Sequence, residues 1–141
     1  PIKSSAASDV YKRQVLRYAD VLLCYAECLN ELGETGEANT VVNQVRARAW
    51  GGTLPNEMAW NYGQDEFRVQ IMDERIRELC FEGWRRMDLI RTGKFVELIK
   101  ERNSWAKKSG TIKDFHMRYP IPDTEIKNND DISEEDQNPG Y

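Results

Sequence analysis

Apolar residues recur every three or four positions over Val15–Leu32, the spacing that places side chains on one face of an α-helix. Gly33 and Gly36 bracket a short turn, and the same periodicity resumes over Glu37–Ala49. Two amphipathic helices joined by so short a turn are expected to pack antiparallel, as a helical hairpin. The positions predicted to face inward are Leu16, Ala19, Leu22, Leu23, Ala26, Leu29 and Leu32, then Ala38, Val41, Val42, Val45 and Ala49.

Shorter periodic segments and turns follow the hairpin. Glycine, proline and asparagine indicate a loop over Trp50–Gln64, and helical periodicity resumes from Asp65 to Cys80. A shorter helix is predicted after Gly83, and Gly93 is placed to end it. One more helix is predicted over Phe95–Arg102. The inward positions in this part are predicted to be Phe67, Ile71, Met72, Ile76, Leu79 and Cys80.

Beyond Asn103 the pattern predicts an extended strap. Lys107–Gly110 has the composition of a loop, and the two prolines of Tyr119–Pro122 push their preceding residues out of the α region. The acidic tail after Pro122 is expected to be solvated or weakly ordered. The predicted fold class is therefore all-α, with tetratricopeptide-like helical hairpins and an extended, loop-rich C-terminal strap.

The composition is that of a soluble globular chain, with 40% apolar and 31% charged residues. A net charge of −4 supplies no basic field for nucleic acid, so we expect no nucleic-acid partner. Residues 1–14 lack an initiating Met and the apolar core of a signal peptide. We expect residues 1–14 to be a non-native or disordered leader, and residues 15–141 to be part of the domain of a larger protein.

No motif for metal, cofactor or nucleophilic chemistry is present. Cys24 and Cys28 lie one helical turn apart, but the only histidine, His116, is distant in sequence, so small buried core residues are the better interpretation of the cysteines. No metal or cofactor is expected.

Three carboxylates at four-residue steps, Glu74, Glu78 and Glu82, would line one face of a helix. Arginines stand three or four residues from several carboxylates of this segment, in pairs such as Glu82 with Arg86 and Asp88 with Arg91. The spacing favours an ion-pair network over general acid–base chemistry, because a guanidinium keeps a carboxylate ionised. We therefore expect no catalytic residue and no enzyme activity.

Trp60 and Tyr62 are the candidate ligand-binding residues. Both lie in the predicted loop, where an exposed aromatic ring could stack on the apolar face of a sugar. Loop aromatics also commonly fold back onto a core, and that alternative stays open at the level of sequence.

Four stretches together resemble the SusD/RagB family of nutrient-binding lipoproteins of Bacteroidota-type bacteria. They are Leu16–Gly33, Val42–Ala49, Asp73–Arg91, and Tyr119–Pro122 taken with Gln137–Tyr141. The resemblance covers residues 15–141 and corresponds to the carboxyl-terminal portion of the family.

The resemblance implies an α-helical, tetratricopeptide-like scaffold that binds oligosaccharides or other nutrients. It also implies a partner, a SusC-like TonB-dependent transporter, and a place on the surface of the outer membrane. Membrane attachment would come only from an amino-terminal lipid anchor outside this chain. A generic helical-repeat adaptor for other proteins is the alternative function.

Overall fold

The structure is a computed structural model that describes residues 15–141, so the predicted leader at residues 1–14 lies outside the described part. Over the described residues the regular elements are all helices, which confirms the all-α fold class. They form two compact units, one ending at Gly83 and the other running from Trp84 to Tyr141. The α-helices are α1 (Tyr18–Glu31), α2 (Thr35–Ala49), α3 (Gln64–Glu78), α4 (Trp84–Arg91), α5 (Phe95–Arg102), α6 (Ser104–Ser109) and α7 (Asp123–Asn128).

Helices α1 and α2 form the predicted hairpin, and α3 packs against both. The turn between them includes Gly33 at φ +86°, a conformation that glycine adopts without steric cost. Ala26 and Ala38 are fully buried between the helices, where their small side chains allow a close approach. Phe67 and Ile71 of α3 complete a core that also contains Leu23, Leu29, Val41, Val42 and Val45.

Several predicted core positions lie at helix ends and are exposed instead. Leu16 precedes α1 and Leu32 follows it, so neither side chain is held against the hairpin core. Ala49 is the last residue of α2 and is exposed. Cys24, Cys28 and Cys80 are also exposed, which corrects the prediction that the cysteines are buried. Periodicity identified α1 to α3 correctly but extended the buried stripe beyond the ends of α1 and α2. It also made the stripe too wide, because Cys24 and Cys28 within α1 and the predicted core residue Ile76 within α3 are exposed.

The second unit contains α4 to α7 and an extended segment. Helix α5 has the predicted bounds, Phe95–Arg102. The prediction of a loop at Lys107–Gly110 is wrong for its first three residues, because they belong to α6. The Asn103 side chain caps this helix by accepting the Ala106 N–H at 3.0 Å, and Gly110 at φ +62° ends it.

The acidic tail is exposed as predicted, but it is folded and hydrogen-bonded to the strap. Gln137 accepts the Ile121 N–H at 2.8 Å and donates to the Ile121 carbonyl at 3.0 Å. Asn138 donates to the Tyr119 carbonyl at 2.7 Å, and the Tyr141 hydroxyl donates to the Arg118 carbonyl at 2.9 Å. The tail therefore satisfies backbone groups of the extended segment, which lies outside the helices.

Among the described residues, no helix combines the length and apolar character that crossing a membrane requires.

Candidate ligand-binding site

Two asparagines of α2 hold the loop that carries Trp60 and Tyr62. The Asn43 side chain accepts the Trp60 N–H at 2.7 Å and donates to the Trp60 carbonyl at 3.1 Å. The Asn39 side chain does the same for Tyr62, at 3.1 Å and 2.9 Å. Each primary amide thus satisfies both backbone groups of one loop residue, as a neighbouring strand would.

The spacing of the two asparagines explains why this arrangement fits. Residues four apart on a helix rise about 6 Å along its axis. Alternate residues of an extended chain are about 6.6 Å apart. Asn39 and Asn43 therefore match Tyr62 and Trp60 in length, with the loop running against the direction of the helix. A loop made of extended residues can lie on the helix without leaving its backbone groups unsatisfied.

A third asparagine extends the clamp toward α3. Asn30 of α1 donates to the Gln64 carbonyl at 3.1 Å, and the Gln64 side chain donates back to the Asn30 carbonyl at 2.6 Å. The Asn30 amide oxygen accepts the Thr35 hydroxyl at 2.9 Å. Asn30 and Asn39 are both buried, so these hydrogen bonds satisfy polar groups that water does not reach.

The clamp directs the Trp60 ring into the core. Trp60 is only 5% exposed and meets the ring of Phe67 edge to face, with 5.6 Å between ring centroids. The Arg46 guanidinium lies over the Trp60 ring at 5.6 Å, while it also donates to Glu74 at 2.9 Å and to the Met58 carbonyl at 3.1 Å. Trp60 therefore anchors the loop to the first unit.

Tyr62 lies nearer the surface than Trp60 does. Its ring is half-buried and packs at a tilt against Trp60, with 5.1 Å between centroids. The structure thus brings the two candidates together, with Trp60 on the core side and Tyr62 on the solvent side. Contact of this pair with a sugar stays a prediction, and Tyr62 is the more exposed member.

Sequence reasoning missed the asparagines that position this loop. Asn39 and Asn43 lie inside a helix, where asparagine is a comparatively poor residue. Two asparagines one turn apart, beside the buried Val41 and Val42, were the sequence signal that could have indicated a polar contact on this helix. Only the folded chain shows that the loop returns to pass over them.

The three carboxylates of α3 and the turn after it accept hydrogen bonds from arginines of other segments. Glu78 and Glu82 both bind Arg17, at 2.9 Å and 2.7 Å, and Glu78 also binds Arg48 of α2. Hydrogen bonding to Glu82 and then to Glu78 raises the pKa of Arg17 above its ordinary value. Glu74 lies between Arg46 and Arg77. The ion-pair network is therefore confirmed, and it ties all three helices together.

The predicted partners within one helix are only partly correct. Asp88 and Arg91 pair at 3.0 Å, as expected. Arg86 instead donates to the His116 carbonyl at 2.7 Å, and its guanidinium lies over the rings of Phe95 and Tyr119 at 4.6 Å and 4.2 Å. Glu82 binds Arg17 within the first unit instead, and the helical path is interrupted after it at Gly83, whose φ is +87°.

The cysteines gain no metal site in the part of the chain that the structure describes. No group of three or more His, Cys, Asp or Glu residues there is placed to hold a metal ion. Cys24 lies beside the buried ion pair of Arg75 and Asp20, whose charged atoms are 2.9 Å apart, and its Sγ accepts from Arg75 at 3.3 Å.

Comparisons with known proteins agree with the resemblance of the sequence. The sequence profile described as the SusD family matches residues 2–141. The SusD-like protein P25 of Formosa agariphila is 39% identical over 132 residues, which are 92% of this chain and 25% of that protein. The SusD-like protein P38 of the same organism is 46% identical over 90 residues, 60% of this chain and 18% of that protein.

A third relative, the starch-binding protein SusD of Bacteroides thetaiotaomicron, is 31% identical over 132 residues, 90% of this chain and 21% of that protein. No solved structure matches the chain significantly. The chain spans a quarter or less of the length of each of these three relatives. Because the family profile covers nearly all of its residues, the chain belongs to the SusD family.

Proposed function

We propose that this chain is the carboxyl-terminal helical segment of a cell-surface subunit that captures nutrients, with oligosaccharides as the substrate class. The subunit would work with a SusC-like TonB-dependent transporter of the outer membrane. Its attachment to the membrane would come from a lipid anchor outside these 141 residues. The observation that carries the proposal is the match of the SusD family profile to residues 2–141.

Two further observations support a binding role for the family segment. A relative that matches 90% of the chain is named as a starch-binding protein. The carboxylates that an enzyme could use, Glu74, Glu78 and Glu82, each accept from at least one arginine. Their oxygens are engaged by guanidinium groups, whereas the two carboxyl groups of a glycoside hydrolase must face the scissile bond from either side.

Within this segment we place the sugar contact at Tyr62, with Trp60 as its support. Tyr62 has accessible ring surface and a backbone fixed by Asn39, so its ring can meet a sugar without first ordering the loop. Trp60 would act through Tyr62, because its own ring is buried against Phe67.

Calorimetry on the complete gene product tests the proposal, with soluble starch fragments and other oligosaccharides as probes. We expect saturable binding of at least one oligosaccharide, and we expect Tyr62→Ala to weaken it. Trp105→Ala is the matched control, because Trp105 is an exposed aromatic of the second unit and lies outside the clamped loop. Equal effects of the two substitutions would remove Tyr62 from the proposed site.

The transporter partnership has its own test. Affinity purification of the tagged protein from its native outer membrane is expected to recover a TonB-dependent transporter. Recovery of other proteins only, together with no oligosaccharide binding, would favour the adaptor function and contradict the proposal.

A further inference from the structure

Arg86 of α4 lies between two aromatic rings of the second unit. Its guanidinium carbon is 4.6 Å from the centroid of the Phe95 ring and 4.2 Å from that of the Tyr119 ring. A terminal nitrogen of the same group donates to the His116 carbonyl at 2.7 Å. The two rings and the carbonyl therefore fix the position of the charged group, and the inner face of the Tyr119 ring is held against it.

The charge of Arg86 has no counter-ion within residues 15–141. No carboxylate of this range forms an ion pair with Arg86, and the partner expected from sequence, Glu82, binds Arg17. The Arg86 Nε atom is buried and has no hydrogen-bond acceptor in the same range. Arg86 is half-buried, and charged groups that are partly removed from water are normally paired. An anionic group from outside the described residues would complete the contacts of this guanidinium.

Tyr119 is exposed although its position is fixed. The residue is 67% exposed, while Asn138 donates to its carbonyl at 2.7 Å and Pro120 restricts its backbone to extended conformations. An aromatic ring that is already held in place can meet a ligand without the entropic cost of ordering a loop. The outer face of Tyr119 is therefore a prepared surface for stacking.

The two groups together select the chemical class of the ligand. The apolar face of a sugar ring stacks on an aromatic face, and a carboxylate matches the planar fork of a guanidinium. A neutral sugar would use only Tyr119, and a small anion would use only Arg86. A sugar that carries a carboxylate uses both. The charge distribution of the ring agrees, because its face is negative and its edge is positive, so a carboxylate belongs at the edge.

The distance between the two groups determines the size of the ligand. Ring contact at about 4 Å places a stacked sugar roughly 8 Å from the guanidinium carbon, which lies 4.2 Å behind the Tyr119 ring. The carboxylate of the stacked sugar itself does not span this distance. The carboxylate of the next sugar in a chain can pass the edge of the ring and reach Arg86. The site therefore fits an oligosaccharide and not a single sugar.

We propose that Tyr119 and Arg86 form a second sugar-binding site, specific for oligosaccharides that contain uronic acids. Tyr119 stacks on one sugar, and Arg86 pairs with the carboxylate of the next. The inference rests on the proposed capture of oligosaccharides and adds a substrate class to it. The loop of the first unit offers no equivalent cation, because Arg46, which lies over the Trp60 ring, is already paired with Glu74.

Calorimetry on the complete gene product tests the substrate class. The probes are oligogalacturonides and alginate oligosaccharides, each beside its carboxyl-reduced, neutral counterpart. We expect at least one acidic oligosaccharide to bind at least about tenfold more tightly than its neutral counterpart, as one charged hydrogen-bonded contact would give. Rising salt should weaken only the binding of the acidic form. Equal affinities for the acidic and neutral forms, or tighter binding of a sulfated oligosaccharide without carboxylates, would overturn the proposal.

Substitutions locate the site. Tyr119→Ala is expected to weaken binding of the acidic oligosaccharide at least about tenfold, the loss of one stacking platform and its contacts. The matched control is Trp105→Ala, because Trp105 of the same unit is 70% exposed and contacts neither Arg86 nor Tyr119 in the structure. Equal affinities in the two variants would overturn the proposal.

The role of the charge has its own pair of variants. Arg86→Gln should remove the preference for the acidic form, whereas Arg86→Lys, which keeps a cation beside the ring, should retain part of it. Lys107→Gln removes one exposed charge from α6 and should leave the preference unchanged. The Tm of each variant shows whether it is folded, and the salt dependence of the parent protein gives the same information without any substitution. A preference that survives in Arg86→Gln would overturn the proposal.

The outcomes separate this inference from the proposed function. Binding that depends on Tyr62 but not on Tyr119, with no preference for acidic sugars, would overturn the inference and leave the proposed function intact. Failure to bind any oligosaccharide would contradict both. Acid-selective binding that requires Tyr119 and Arg86 would support both.

Discussion

At the scale of single residues, the irregular parts of this protein depend on side chains that satisfy backbone groups. Gln137 satisfies both backbone groups of Ile121, and Asn43 satisfies both of Trp60. Each replaces a strand partner that the all-helical fold does not supply. Leaving a buried backbone group unsatisfied costs about 1–3 kcal/mol, so one amide can decide whether a segment stays folded.

Gly140 is a residue that no larger side chain can replace without local movement. It has φ +101°, and a Cβ atom added there would lie 2.4 Å from Cγ of Phe115. We expect Gly140→Ala to lower the free energy of unfolding by about 1–3 kcal/mol, through backbone strain and displacement of Phe115. Chemical denaturation measures the change.

The matched control is Gly36→Ala. Gly36 lies in the first turn of α2, and nothing would lie within 4 Å of the added Cβ atom. We expect this variant to be as stable as the parent or more stable by up to about 1 kcal/mol, because alanine favours the helix. A Gly140→Ala variant as stable as the parent would contradict the proposed tail packing.

Glu31 gives a prediction about pH. Hydrogen bonding from Arg68 holds the pKa of Glu31 below its ordinary value of 4.5. Because the folded-state pKa is lowered, the stabilisation is present above pH 4.5 and is lost as the pH falls through the folded-state pKa. Arg68→Gln is expected to return the pKa of Glu31 toward 4.5 in an NMR titration.

Asp136 provides the internal control for that titration. Its pKa is lowered by hydrogen bonds from the Ser133 backbone and hydroxyl, within the second unit. The pKa of Asp136 should therefore be the same in the parent and in Arg68→Gln. A shift of both groups would indicate a change of the whole fold instead of the loss of one ion pair.

At the scale of elements, the hairpin of α1 and α2 acts as the support on which the loop and α3 are fixed. Asn39 and Asn43 hold the loop, and Asn30 joins α1 to the start of α3. Arg17 and Arg48 form ion pairs with Glu78, the last residue of α3, and so hold the end of that helix. The polar contacts thus set the register of three helices whose apolar faces alone would permit sliding.

The loop clamp predicts the effect of a nearly isosteric change. Asn43→Asp keeps the acceptor for the Trp60 N–H but places a carboxylate oxygen against the Trp60 carbonyl. We expect a loss of about 1–3 kcal/mol in the free energy of unfolding, with a red shift of tryptophan fluorescence as Trp60 becomes hydrated. Gln44→Ala, an exposed change one residue away, should alter neither quantity. Unchanged stability in Asn43→Asp would mean that the clamp contributes little.

At the scale of the whole molecule, the described chain offers few of the groups that recognition of a sugar requires. Binding needs several aromatic platforms and hydrogen-bonding groups that converge on one ligand. Of the two candidate residues only Tyr62 is partly exposed, because Trp60 is buried. The exposed side chains of Tyr18, Tyr25 and Leu32 on and after α1 also leave apolar surface uncovered in the isolated chain.

We therefore expect the 141-residue chain alone to bind oligosaccharides weakly or not at all, whereas the complete gene product binds them. Calorimetry of both proteins against the same oligosaccharides measures the difference. Neither protein is expected to release reducing sugar above a buffer control. Tight binding by the short chain that Tyr62→Ala abolishes would place the whole nutrient site in this segment, and hydrolysis by either protein would contradict the proposed role.

The sequence by itself determined the presence of α1 to α5, the hairpin and the family. Periodic apolar positions identify α1, α2 and α5 because helical geometry repeats every 3.6 residues and needs no distant contact. The all-α fold class and the SusD resemblance follow from such local patterns and motifs, and both are confirmed.

Tertiary structure alone decided which polar residues meet. The sequence could pair Glu82 with Arg86 by spacing, but folding brings Arg17 to Glu82 from 65 residues away. The sequence could name Trp60 and Tyr62 as candidates. Only the folded chain, in which Asn39 and Asn43 hold the loop, shows that Trp60 is buried and Tyr62 is half-buried. Local periodicity reports the face of one helix, whereas hydrogen-bond partners depend on where the chain returns in space.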